Sequence, residues 1–81
     1  MYAVEVIPEV SNQIALHPKR FKQIALRIFA LQMNPRPPDC VLVDIETYRV
    51  RIGPYTITYE VDASRQRVRV FLLEEQDEEK E

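Results

Sequence analysis

The chain has 81 residues, enough for one small hydrophobic core and too few for a second domain. Its 46% hydrophobic content argues against a disordered chain, and its one cysteine, Cys40, excludes an internal disulfide and suits a reducing cytoplasm. The net charge of −2 divides unevenly: residues 1–73 hold ten Lys and Arg against seven acids, whereas "EEQDEEKE" at 74–81 holds six acids and one Lys.

"YAVEVI" alternates and is predicted to be a first strand, with Tyr2, Val4 and Val6 on one face or the whole run half-buried. Pro8 suits a helix's first turn, where its missing N–H needs no partner, and a short helix is expected over 8–16 with Val10 and Ile14 on one side. Pro18 stops it. "KRFKQIALRIFALQMNP" carries the strongest helical signal: Phe21, Ile24, Ala25, Ile28 and Leu31 recur at three and four, with Arg20, Gln23 and Arg27 on the other side. Asn34-Pro35 ends this helix, since the residue before proline is pushed out of the helical region, and "PRPPDC" follows as a stiff linker.

Next comes "TYRVRIGPYTITYEVD", which alternates on both sides of Gly53-Pro54. A two-residue loop there pairs Tyr48 with Tyr59, Val50 with Ile57 and Ile52 with Tyr55 as a buried face, and glycine at the first loop position fits a type II′ turn. Arg51 then lies opposite Thr56, and Arg49 lies opposite Thr58 with Glu60 diagonal to it. After "DASRQ", the run "RVRVFLL" alternates again, which predicts Val68, Val70 and Leu72 facing in and Arg67, Arg69, Phe71 and Leu73 facing out. The expected fold class is α+β in the order β-α-α-β-β-β, with two N-terminal helices packed on one face of a four-stranded mostly antiparallel sheet. The expected boundaries are a single domain over 1–73 and a disordered acidic tail over 74–81.

Gly53 is the only glycine, so there is no phosphate-binding glycine loop, and no Cys/His spacing matches a zinc site. No Ser-His or Cys-His constellation supports a hydrolase, and His17 reads as a helix-end residue. Neither a metal nor a cofactor is expected. No apolar run approaches the length of a membrane span, and the N-terminus lacks the marks of a signal peptide, so no membrane association is expected.

The order of elements, with "VEVIPEV", "NPRPPD" and "YRVRIGPYTITYEVD", resembles the RelE/ParE family of bacterial toxins, over residues 2 to about 73. Hairpins of that family read roughly Tyr-Arg-x-Arg-x-Gly-x-Tyr-Arg-x-x-Tyr-x-x-Asp, and Tyr48, Arg49, Arg51, Gly53, Tyr55, Tyr59 and Asp62 match. The resemblance implies a toxin of a type II toxin–antitoxin module. RelE-like members cut mRNA in the ribosomal A site, ParE-like members poison DNA gyrase, and both are neutralised by a cognate antitoxin. It also implies that Arg49 and Arg51 grip phosphate. The chain departs from the pattern at Thr56, where the family has arginine, and at Glu74-Glu75-Gln76, where a closing Gly-His-Arg and a later tyrosine are usual.

These departures point to a RelE-like component with weak or lost ribosome-dependent mRNA interferase activity. The alternatives are a ParE-like gyrase inhibitor or a non-toxic protein-interaction domain derived from the family. Candidate partner-binding residues are Arg49, Arg51, Arg67, Arg69, Phe71 and Leu73, expected as one cationic strip beside two exposed apolar anchors. The tail is either a solvated appendage or a set of carboxylates lying on those arginines.

Overall fold

In the computed structural model, which describes residues 1–75, the alternating hairpin is part of a five-stranded sheet of order β1-β5-β4-β3-β2. The strands are β1 (Ala3–Val6), β2 (Val41–Asp44), β3 (Thr47–Ile52), β4 (Tyr55–Asp62) and β5 (Arg67–Glu75), and the helices are α1 (Pro8–Leu16) and α2 (Lys22–Ala30). All pairings are antiparallel except β1 with β5, which is parallel.

The count exceeds the expected four strands by β2. "VLVD" pairs with β3, Val41 against Arg49 and Leu42 against Tyr48, yet all four of its residues are exposed. An edge strand without a buried face has no reason to alternate, so its sequence carries no period of two.

Local chemistry sets the helix ends. Ile7 is extended at the N-cap of α1, Pro8 opens the helix, and Glu9 in the first turn complements the dipole. His17, ahead of Pro18, has left the helical region (φ −136°). Phe21, Ile24, Ile28 and Leu31 present one buried stripe to the sheet, where they join Val10, Val50, Ile57, Tyr59, Val61, Val68, Val70 and Leu73 in a single core. Between α2 and β2 the proline-rich linker is pinned: Asp39 accepts from Arg27 at 2.8 and 2.9 Å, and that guanidinium holds its carboxyl below the usual carboxylate range.

The β3–β4 register is the expected one, from Tyr48 opposite Tyr59 to Ile52 opposite Tyr55, with Arg49 and Arg51 on the face away from the helices. Gly53 has φ +63°, the first position of a II′ turn, and Pro54 supplies the negative φ required next. A side chain added at Gly53 would meet no atom within 4 Å, so the need for glycine there is conformational.

Strand β5 corrects the expected alternation. Tyr59 is opposite Val70, but Thr58 is opposite Leu72, so Phe71 is an inserted residue, a β-bulge. Past the bulge the phase inverts. Leu73, expected to face out, pairs with Ile57 and is buried, while Leu72, expected to face in, is exposed. The strand also continues through Glu74 and Glu75, opposite Thr56 and Tyr55, so these two residues belong to the sheet and not to a tail. The rest of the acidic segment, 76–81, lies outside the described residues.

The bulge makes a direct prediction. Leu73→Ala should destabilise the protein by about 2–5 kcal/mol, the cost of a core leucine, and Leu72→Ala by under about 1 kcal/mol, in urea unfolding at constant m-value. Equal effects, or the reverse order, would place Phe71 in the regular ladder.

Candidate functional site

The face of the sheet away from the helices carries the residues singled out from the sequence, and the register arranges them in rows across the strands. One row runs Glu5, Arg69, Glu60, Thr47 from β1 to β3. Beside it, Ala3, Arg67 and Asp62 form a second. Nearer the Gly53 turn lie Leu72, Thr58, Arg49 and Val41, and then Glu74, Thr56 and Arg51.

These rows separate the four arginines into two pairs with different surroundings. Arg67 and Arg69 are each opposite a carboxylate, Asp62 and Glu60, and Arg69 also has Glu5 on its other side. The Arg69 guanidinium is 3.8 Å from Glu60, which therefore serves Arg69 and not the diagonal Arg49. Two cations among three carboxylates leave no net positive charge in that patch. Arg49 and Arg51 instead flank Thr58 and Thr56, and the Arg51 Nε donates to the Gly53 carbonyl at 3.0 Å along the turn. The four arginines of the expected single strip thus fall into an Arg49–Arg51 pair and a charge-balanced patch around Arg67 and Arg69 that includes the Glu60 row.

Of the two expected apolar anchors, Phe71 is half-buried outside the core cluster and Leu73 is inside it. Leu72 takes the open-face place assigned to Leu73, next to Thr58. Thr56 and Thr58 are buried on the side of the sheet away from α1 and α2. The Thr58 hydroxyl is buried with no hydrogen-bond partner.

The tyrosines of the hairpin lie on the opposite face, each with its hydroxyl engaged. Arg20 donates to Tyr55, and Arg36 donates to Tyr48 at 2.8 Å while reaching Glu46 at 2.9 Å. Tyr59, fully buried and stacked on Tyr48 at 5.9 Å, donates to the Pro35 carbonyl at 2.7 Å. Burial, with Cys40 nearby, pushes the Tyr59 phenol well above its ordinary value. His17 is on the helical layer, edge-on to Phe21 at 6.2 Å. Among the described residues, then, the titratable groups bordering Arg49 and Arg51 are carboxylates, and no His or Tyr faces the same way. No group of three or more His, Cys, Asp and Glu among them could hold a metal ion.

This arrangement can bind an anion at Arg49 and Arg51 through charge-assisted hydrogen bonds. Among the described residues it places no His, Cys or Tyr beside that anion to move a proton.

No protein-family model matches the sequence, and no curated protein matches it either. Solved structures do match. The isolated RelE toxin of E. coli superposes with a TM-score of 0.81 at 14% identity, over 99% of this chain and 89% of that one. RelE from the RelE–RelB complex of Pyrococcus horikoshii gives 0.79 at 19% identity, over 96% and 98%. A double arginine-to-alanine mutant of E. coli RelE, in complex with a RelB antitoxin peptide, gives 0.72 at 15%, over 96% and 85%. The chain has a RelE-like toxin fold.

Two stability measurements check this account. Removing the unpartnered hydroxyl by Thr58→Val should leave stability unchanged or raise it by up to about 1 kcal/mol, whereas Tyr59→Phe, which orphans the Pro35 carbonyl, should cost about 1–2 kcal/mol. The raised Tyr59 pKa means that the folded state holds this proton more tightly than the unfolded state does. Its contribution is therefore fully present below about pH 10 and lost as pH rises towards the folded value, so the alkaline fall in stability should be shallower in Tyr59→Phe.

Proposed function

We propose that this RelE-fold chain is the toxin-type member of a type II toxin–antitoxin module, cytoplasmic, bound by a cognate antitoxin, with mRNA interferase chemistry that is weak or lost. One observation carries the reading: among the described residues no His or Tyr lies on the open face beside Arg49 and Arg51, while every tyrosine of the hairpin is turned to the other side and engaged. The complexes of RelE with RelB among the similar structures support an antitoxin as the partner.

Cleavage in which the RNA's 2′-hydroxyl attacks the adjacent phosphate needs three services. The nucleophile must lose a proton, charge on the phosphorane-like oxygens must be neutralised, and the leaving 5′ oxygen must gain a proton. Arg49 and Arg51 supply the second. General acid–base assistance is worth about 10²–10⁴-fold, and each missing cationic donor costs about 10²–10³ more. With Thr56 where the family has an arginine, and Glu74 and Glu75 where its closing basic segment lies, the rate falls by several orders of magnitude. The Glu74 carboxylate, in the same row as Arg51, also opposes entry of a phosphodiester.

The test is induction of the chain in bacteria with and without an adjacent antitoxin-like frame, combined with a reconstituted translation assay. The expected outcome is little or no A-site cleavage by the purified protein. Binding to the neighbouring gene product should be retained and should weaken in a salt-dependent way in Arg49→Ala with Arg51→Ala. Efficient cleavage, or partner binding unchanged in that double variant at low salt, overturns the reading.

A further inference from the structure

Helix α2 is apolar on two opposite sides. Phe21, Ile24, Ile28 and Leu31 are buried against the sheet. At about 100° per residue, Lys22, Leu26 and Phe29 fall on a line roughly opposite, and Met33 follows in the turn that closes the helix. The last three are 53%, 68% and 75% exposed. The solvent side of a helix is ordinarily polar, and a narrow apolar stripe spaced at threes and fours is the seam that one helix presents to another. Neither the core nor the open sheet face uses it.

The charges of the same layer define what fits. Residues 10–38 contain five Lys and Arg and no Asp or Glu. Arg20, Arg27 and Arg36 are engaged by Glu75, Asp39 and Glu46. That leaves Lys19 and Lys22, both exposed, without a carboxylate among the described residues. The first turn of α2 contains no acid to offset the positive end of its dipole.

We infer that the outer seam of α2 docks an amphipathic helix of a partner protein, antiparallel to α2, with apolar residues over Leu26, Phe29 and Met33 and carboxylates at the end beside Lys19 and Lys22. Antiparallel packing brings the negative C-terminal end of the incoming helix to the same place. Anionic membrane surfaces are recognised by clusters of roughly four to eight cations, and nucleic acids by comparable numbers, so two free lysines do not hold either. A second copy of α2 brings Met33 and Asn34 to the lysines and no carboxylate. The inference extends the partner-binding reading to a surface distinct from Arg49 and Arg51, and each can fail without the other.

The probe is a labelled synthetic helix with leucines at a and d heptad positions and glutamates in its last turns, titrated against the full chain by fluorescence anisotropy at low salt. A matched peptide has lysines in place of the glutamates. The glutamate peptide should bind, Phe29→Ala with Met33→Ala should weaken it at least tenfold, and Arg49→Ala with Arg51→Ala should leave it unchanged. Lys19→Glu with Lys22→Glu should weaken the glutamate peptide and strengthen the lysine one. Far-ultraviolet circular dichroism should be the same in all variants, since the altered side chains are exposed. Absence of binding, or binding indifferent to the seam variants, overturns the inference. So does seam-dependent binding of phosphatidylglycerol vesicles, or seam-dependent self-association, in place of peptide binding.

Discussion

Strand β4 is buried on both faces at residues 56–59, although the helices cover only one side of the sheet. Ile57 and Tyr59 belong to the core beneath the helical layer, whereas Thr56 and Thr58 point the other way and are buried as well. A strand so enclosed needs both neighbours in phase with it, because a slip of one residue on either side exchanges core for solvent along the whole strand. Strand β3 meets this demand without a break. Strand β5 meets it with one extra residue, and that single insertion decides which leucine is in the core and which borders the arginines.

How much of this could be read from the sequence follows from where the period of two holds. Between Tyr48 and Tyr59 it holds without interruption around a glycine-proline loop, so pairing, facing and turn type were all legible, and with them the open-face placement of Arg49 and Arg51. It fails at Phe71, where the backbone inserts a residue that no side chain announces, so Leu72 and Leu73 were exchanged. It has nothing to act on in Val41–Asp44, which buries neither face. The grouping of the four arginines was illegible for another reason: which carboxylate sits beside which guanidinium depends on cross-strand register, and Glu60 became the neighbour of Arg69 through β4–β5 pairing. The outer stripe of α2 was in plain view at threes and fours. Even so, its signal is masked by Arg20, Gln23 and Arg27, which are polar in the way a solvated side of a helix is expected to be.

The two faces of the hairpin divide the chemistry between them. Toward the helices, three tyrosine hydroxyls act as ties: Tyr55 to Arg20 after the first helix, Tyr48 to Arg36 in the linker, and Tyr59 to the Pro35 carbonyl. They hold a linker that has few apolar contacts of its own, since it is rich in proline and mostly exposed. A phenol committed in this way is unavailable for proton transfer on the far side of the sheet. Tyr48, Tyr55 and Tyr59, which match the RelE/ParE hairpin pattern, here tie the sheet to the segments that pack against it.

The parallel pairing of β1 with β5 joins the first and last described strands, Ala3 to Arg67 through Val6 to Val70, and the Ile7 amide donates to the Val70 carbonyl at the entrance to α1. Contacts so distant along the sequence carry the largest loop-closure cost and form late. During synthesis the first strand has no partner in this sheet until the last has been made, and α1 has nothing to anchor its start. The helical hairpin and the β3–β4 meander can assemble as the chain emerges, but closure waits for β5. The molecule therefore reaches its folded shape only once β5 has been made, and any fragment ending short of that strand lacks both an edge of the sheet and a seat for the first helix.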